Sequence, residues 1–290
     1  MKAKYPILIL LIIIFLGEMG KEDDTDIPRG VRPIGPIAAI PPPLPDSGPE
    51  GQGRVGPGTI GDDVILIEDE QKQGRSQYTG TAFSIDGRGL WITARHVTDE
   101  CDQLQLLRPF RRALPVTGLA EHSGADVALL QTAAGYDALD INYDAPEYNQ
   151  EGFHFGFPRG EPGAVYSRLI GRKTMKTTGA RNYRETIYVW AEKIRIPETD
   201  ESLGGISGGP ILNKAGDVVG VHVAGSIRRG RSFSSLPSNI SDLIEDNNLN
   251  LVDGDEYSID TTSLTPVGFS RVGEDLRGDL SVAQVVCKTD

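Results

Sequence analysis

A serine set among glycines, Gly204-Gly205-Ile206-Ser207-Gly208-Gly209-Pro210, is the stretch of this 290-residue chain richest in chemical possibility. Glycine takes positive φ without steric penalty, so the backbone there can curl tightly, leave the Ser207 hydroxyl exposed and turn neighbouring N–H groups toward one point. Acyl transfer needs that combination: a nucleophile, and backbone donors where an oxyanion will form. A plain Gly/Ser turn between two strands would give the same seven residues. What separates the two readings lies upstream. His96 follows the apolar run Leu90-Trp91-Ile92, at a strand end where an imidazole can face a cleft on a rigid support. Asp126 opens Val127-Ala128-Leu129-Leu130, a carboxylate at the start of a buried strand. Singly, each is an ordinary core, surface or turn residue. Together they stand in the order His, Asp, Ser, Asp126 lying 30 residues after His96 and Ser207 lying 81 after Asp126. A serine hydroxyl is a poor nucleophile until a neutral imidazole accepts its proton, and a buried carboxylate fixes the imidazole tautomer and stabilises the imidazolium.

The elements that must hold these residues are short β-type runs. Val64–Ile67, Thr79–Ile85, Leu90–Thr93, Leu104–Leu107 and Val127–Thr132 come first. Gly152–Phe157, Ala164–Ile170, Thr186–Ala191, Pro210–Leu212 and Val218–Val223 follow. Turn signals such as Asp86-Gly87-Arg88-Gly89 and Ala215-Gly216-Asp217 separate them. Many short strands without a long amphipathic helix predict an all-β sandwich or barrel. A polar gap near 133–151 divides the runs into two β units. One late helix is expected, with Ser238 as its N-cap and Ile240, Leu243 and Ile244 on one face.

The quoted motifs carry a family likeness. Gly80-Thr-Ala-Phe83, Ile92-Thr-Ala-Arg-His-Val97, Asp126-Val-Ala-Leu-Leu130, Gly156-Phe-Pro158, Gly205-Ile-Ser-Gly-Gly-Pro210 and Asp217–Gly225 appear in order. In them the chain resembles the chymotrypsin-like serine proteases, in the bacterial trypsin-like branch near HtrA. The resemblance implies two antiparallel six-stranded barrels with the site in the cleft between them, followed here by a short C-terminal helix and an extension. It implies His96 as general base, Asp126 as its orienting partner, Ser207 as nucleophile and the N–H groups of Gly205 and Ser207 as the oxyanion hole. Ile206 departs from the polar residue common there, so the support of the turn must differ. No PDZ-like module is evident after Gly225, so HtrA-style peptide sensing is not carried over.

For the specificity pocket, His222 lies 15 residues after Ser207. That placement resembles the staphylococcal glutamyl endopeptidase, where a histidine helps bind an acidic side chain. Ser202 fits the same pocket as a hydroxyl donor, whereas Glu201 would repel an acid and favour Lys or Arg. The competing reading is an alternating strand with a satisfied histidine. His122 and His154 have no motif around them and are read as surface or packing residues. Arg228, Arg229 and Arg231 read as a solvated basic loop beside the pocket strand.

Composition bounds the rest. A net charge of −12 argues against nucleic acid as a partner. Two cysteines cannot build a zinc site or a disulfide framework, and no metal or organic cofactor is expected. Cys101 and Cys287 could form one bridge, tying the tail to the first barrel. Residues 1–20 carry Lys2, Lys4 and the aliphatic run Ile7–Leu16, and read as a signal peptide or N-terminal membrane anchor. Export to a periplasmic or extracellular location is expected. Residues 21–59, with nine prolines between Pro28 and Pro57, read as a disordered linker. Residues 60–248 form the protease-like body, and 249–290 an acidic extension, a solvated flank partly packed on it, with a last strand allowed at Val282–Val286. The expected function is an exported serine endopeptidase acting on protein or peptide substrates through an acyl-enzyme. The other classes are an inactive protease-like binding module, an esterase, and a latent protease activated by cleavage after Arg54.

Overall fold

Short, mostly buried strands paired edge to edge close this chain into barrels. The computed structural model describes residues 60–68, 77–178, 182–226, 229–251 and 259–289. The expected export segment, the linker with Arg54, Arg228, and residues 252–258 of the extension lie outside them. Thirteen strands run in chain order among the described residues: β1 (Ile60–Glu68), β2 (Gln77–Asp86), β3 (Leu90–Thr93), β4 (Gln103–Arg108), β5 (Arg112–Glu121), β6 (Ala128–Thr132), β7 (Glu151–Gly156), β8 (Gly163–Thr178), β9 (Tyr183–Ile196), β10 (Pro210–Leu212), β11 (Val218–Ser226), β12 (Arg231–Ser235) and β13 (Val282–Lys288). Three helices join them: α1 (Arg95–Thr98), α2 (Ser238–Asp246) and α3 (Phe269–Gly278).

Six strands form a closed barrel in the order β13-β2-β3-β6-β5-β4. The second ring runs β8-β7-β10-β11-β12-β9 and closes on itself because β8 also pairs with β9. All pairings within these rings are antiparallel. The expected two-barrel all-β architecture is therefore present. β1 is the exception: it pairs in parallel with Arg172–Thr178 of β8, beyond the part that β7 covers. Its outward residues Val64 and Leu66 are exposed, while Ile65 and Ile67 pack inward.

One apolar cluster joins the barrels. Phe83, Ile92 and Val127 of the first meet Phe153, Phe155 and Val221 of the second, and Ile240 of α2 and Phe269 of α3 complete it. These side chains are at most 0% exposed, so each contributes about 1.5–3 kcal/mol of burial. The helix expected near 238 is α2, but its N-cap is Pro237 and Ser238 makes no capping bond. The proline occupies the position ahead of the first turn, so the serine is already inside the helix.

The strand allowed at Val282–Val286 is β13, and its neighbours are β2 and β4. Residues 269–289 are thus not a flank: Phe269, Val272 and Leu276 of α3 and six residues of β13 are buried. Acidity in the stretch before them disguised an amphipathic helix and a core strand. β13 also carries Cys287, which bridges to Cys101, just past α1, with Cα atoms 5.3 Å apart. The bridge closes a loop of 186 residues. Because so long a loop strongly restricts the unfolded chain, Cys101→Ser or Cys287→Ser is expected to cost about 2–5 kcal/mol. A urea midpoint lowered in proportion, with reductant producing the same drop in the parent and none in the variant, is the check.

Candidate active site

Antiparallel pairing brings the first two candidates together. Thr93, the last residue of β3, pairs with Ala128, the first of β6. His96 lies just beyond one end and Asp126 just before the other. The carboxylate grips the histidine twice: Oδ2 is 2.7 Å from His96 Nδ1, and Oδ1 accepts the His96 backbone N–H at 2.9 Å. Asp126 is 3% exposed, whereas the His96 side chain is about one-third exposed, so the ring reaches from a buried carboxylate toward solvent. With an ionised carboxylate accepting at Nδ1, the neutral ring carries its proton there and presents Nε2 as a lone pair.

Ser207 sits at the head of β10, three residues before Pro210. Main-chain hydrogen bonds hold its turn in place. Thr81 N–H donates to Ser207 O at 2.8 Å, Gly208 N–H to His222 O at 2.7 Å and Gly209 N–H to Ile206 O at 2.9 Å. The glycines are required by contact. Gly208 has φ +88°, and a β-carbon there would lie 2.1 Å from Thr81 O and 2.3 Å from Thr93 Oγ1. That contact seats the turn on the end of β3, three residues before His96. Gly205 has φ +100°, and a β-carbon would meet Phe157 O at 2.6 Å. The Gly205 carbonyl is turned away to accept from Thr81 Oγ1 at 2.8 Å. Among the described residues, the N–H groups of Gly205 and Ser207 donate to no protein acceptor. Ile206, the departure noted above, is 1% exposed and packs with Val165 and Leu203, so apolar docking supplies the support that a polar residue would otherwise give.

The specificity candidates are placed differently. His222 is 2% exposed, and its Nδ1 lies 3.1 Å from Nδ1 of His154, whose Nε2 is 2.7 Å from Ser167 Oγ. One ring nitrogen of the facing pair must donate and the other accept. Burial, then the nearby charges of His96 and Arg195, push His222 down to about 3. Burial and His222 likewise hold His154 well below its ordinary value. Both rings are neutral at pH 7, so His222 carries no positive charge at the position where the glutamyl-endopeptidase likeness expects a histidine that helps bind an acidic side chain. Desolvation of a fully enclosed imidazole pair is the reason. Ser202 Oγ accepts the Gly204 N–H at 3.1 Å, and Glu201 pairs with the Arg159 guanidinium. His122 has the packing role expected of it: its Nδ1 accepts from Gly124 N–H at 3.0 Å.

Two residues were not singled out from sequence. Arg195 donates to Thr199 O and Glu201 O at 3.1 and 3.0 Å and to Glu192 Oε2 at 2.8 and 2.5 Å, fixing the loop that enters the serine turn. Glu185 lies behind Asp126 and accepts its backbone N–H at 3.2 Å. A signal existed for the second: Glu185 shares the inward parity of Ile187 and Val189 on β9, where a carboxylate is out of place.

The two-barrel fold, the His–Asp pair and the glycine-framed serine turn seated on the end of β3 mark the class as serine protease-like. Residues 80–221 match the trypsin-like peptidase domain. No curated protein sequence matches the chain significantly. Among solved structures, the Rv3671c protease of M. tuberculosis in its active form aligns with a TM-score of 0.50 at 16% identity, covering 62% of this chain and 83% of that one. The likeness shows the shared fold. The serine endoprotease of Yersinia pestis aligns with a TM-score of 0.43 at 18% identity, over 59% of this chain and 62% of its own. The MamO protease domain of Magnetospirillum magneticum gives 0.44 at 17%, over 58% and 94%.

Proposed function

We propose that the protein is an exported serine endopeptidase that hydrolyses peptide bonds through an acyl-enzyme, with Ser207, His96 and Asp126 as its triad. The observation that carries this reading is the double hold of Asp126 on His96, which leaves Nε2 as the base beside the serine turn. Nε2 takes the Ser207 proton as Oγ attacks the substrate carbonyl. The oxygen that becomes negative is met by the N–H groups of Gly205 and Ser207. His96 then passes its proton to the leaving amine, and the C–N bond breaks to give an ester on Ser207. Water, deprotonated by the same nitrogen, attacks that ester, and the proton returns to Ser207 as the acid leaves. The Cys101–Cys287 bridge fits an oxidising compartment and supports export.

Labelling with a fluorophosphonate probe tests the reading. The purified chain is expected to take up one equivalent, mapped by peptide mass analysis to Ser207, and to lose peptide hydrolysis in step. A folded chain that takes up none would overturn the proposal and leave a protease-like fold used for binding.

A further inference from the structure

Glu185 is buried, and its carboxyl touches three different elements. Oε1 accepts the N–H of Asp126 at 3.2 Å. Oε2 lies 2.8 Å from Ser235 Oγ of β12 and 3.4 Å from Asn239 Nδ2 of α2. Asn239 Nδ2 in turn donates to Ser235 Oγ at 2.7 Å, so the far side of the carboxyl is braced. Glu185 belongs to the second barrel and Asp126 to the first.

We propose that Glu185 is a positioning residue of the triad: from the second barrel it holds the backbone of Asp126, so that both carboxylate oxygens stay turned to His96. The assignment rests on the peptidase reading above. Asp126 precedes β6 by two residues, so no strand partner takes its N–H. Glu185 fills that place, and the rotation of Asp126 about its own backbone is thereby fixed. A buried N–H left without an acceptor would draw the segment toward another partner.

The groups facing Glu185 are Asp126 from the first barrel, His96 from α1, Tyr183 on its own strand, and the neutral Ser235 and Asn239; Arg95 and Thr177 stand beyond it, against Tyr183. Burial, and then the charge of Asp126, push Glu185 up to about 8. It is therefore a neutral acid at pH 7, and the contact with Ser235 can be made with the proton on either oxygen. Above pH 8 a second anion stands against Asp126. Repulsion then loosens the grip on His96, and turnover falls.

The test is kcat and KM of the full chain from pH 6 to 10, for the parent, Glu185→Gln and Glu185→Ala, with fluorophosphonate labelling of each. Glutamine keeps an oxygen for Asp126 and cannot ionise. It is expected to hold kcat at pH 7 within about threefold and to lack the parent's decline above pH 8. Alanine is expected to lower kcat about 10–100-fold with KM within about twofold, the scale of a small misplacement of a reacting group. Unfolding gives a second readout. A raised carboxyl contributes its full stability below its unfolded value near 4.5 and loses it as pH climbs through about 8. The parent's midpoint should fall over that range, and that of Glu185→Gln should fall less. A labelled parent whose pH profile matches that of Glu185→Gln through pH 10 overturns the assignment, as does a folded alanine variant with the parent's kcat. If alanine fails to fold, the glutamine profile decides alone. A parent that neither labels nor turns over overturns the peptidase reading and this assignment with it.

Discussion

Ser207→Ala is expected to lower kcat roughly a million-fold, with KM and thermal midpoint near those of the parent. The size follows from the division of labour at the site. On the proposed mechanism the Ser207 hydroxyl is the atom that bonds covalently to substrate, so its loss removes the acyl-enzyme route altogether. What survives is the turn. Its shape is set by main-chain bonds from Thr81, Gly208 and Gly209 and by buried Ile206, none of which involves the serine hydroxyl. A residual rate roughly a thousand-fold above water is therefore expected from backbone donors and substrate positioning. Parallel circular dichroism guards the comparison. A variant keeping more than about one part in a thousand of the parent rate would mean that another group is the nucleophile, an effect far smaller than loss of the triad's central atom should give.

Ending the chain after Gly278 is expected to abolish both the cooperative melt of the first barrel and all hydrolysis. β13 lies between β2 and β4, hydrogen-bonded on both sides. Val282, Val285 and Val286 are at most 3% exposed. At about 1.5–3 kcal/mol for each buried side chain, the three contribute roughly 5–9 kcal/mol. Domains of this kind are stable by only about 5–15 kcal/mol in total, and two newly opened strand edges add to the loss. The balance falls near or below zero, and His96 and Asp126 lose their support. Near-UV circular dichroism and differential scanning calorimetry would show it. A truncated chain that still melts cooperatively would mean that β2 and β4 can pair directly, and a milder probe, Val285→Asp, would then separate edge from core.

The parts of the fold visible in the sequence are those with local causes. Leu90–Thr93 is three apolar residues and a threonine following a turn signal, and the structure has a strand over the same span. Gly205 and Gly208 stood out because positive φ and close backbone approach demand that residue type. The His–Asp–Ser order pointed to a site because its members are chemically specific, and the structure brings the first two into contact. Other elements depend on partners that local pattern does not reveal. β5 contains Pro115 and Gly118 and opens on Arg112, and only Leu114 of its ten residues is buried, so it is missing from the strands that the sequence predicts. β8 and β9 run well past their apolar cores, to Thr178 and from Tyr183, because they pair with one another. α3 has apolar residues at 269, 272 and 276 but no capping side chain, and its acidic surroundings suggested solvent. His222 could be placed on a strand; that His154 stands behind its ring is a fact of three dimensions.

The late position of β13 also gives the molecule a clock. The half of the site that holds His96 and Asp126 is made early, yet its barrel waits for a strand that emerges far downstream. At about 5–20 residues per second, the about 160 residues between Glu121 and Val282 take roughly 8–30 s to synthesise. Through that interval the ring has a gap beside β2, and β2 carries Thr81, the residue on which the serine turn rests. On the proposed function, a nascent chain would lack its proteolytic centre while its own unfolded segments and its neighbours' are most open to attack.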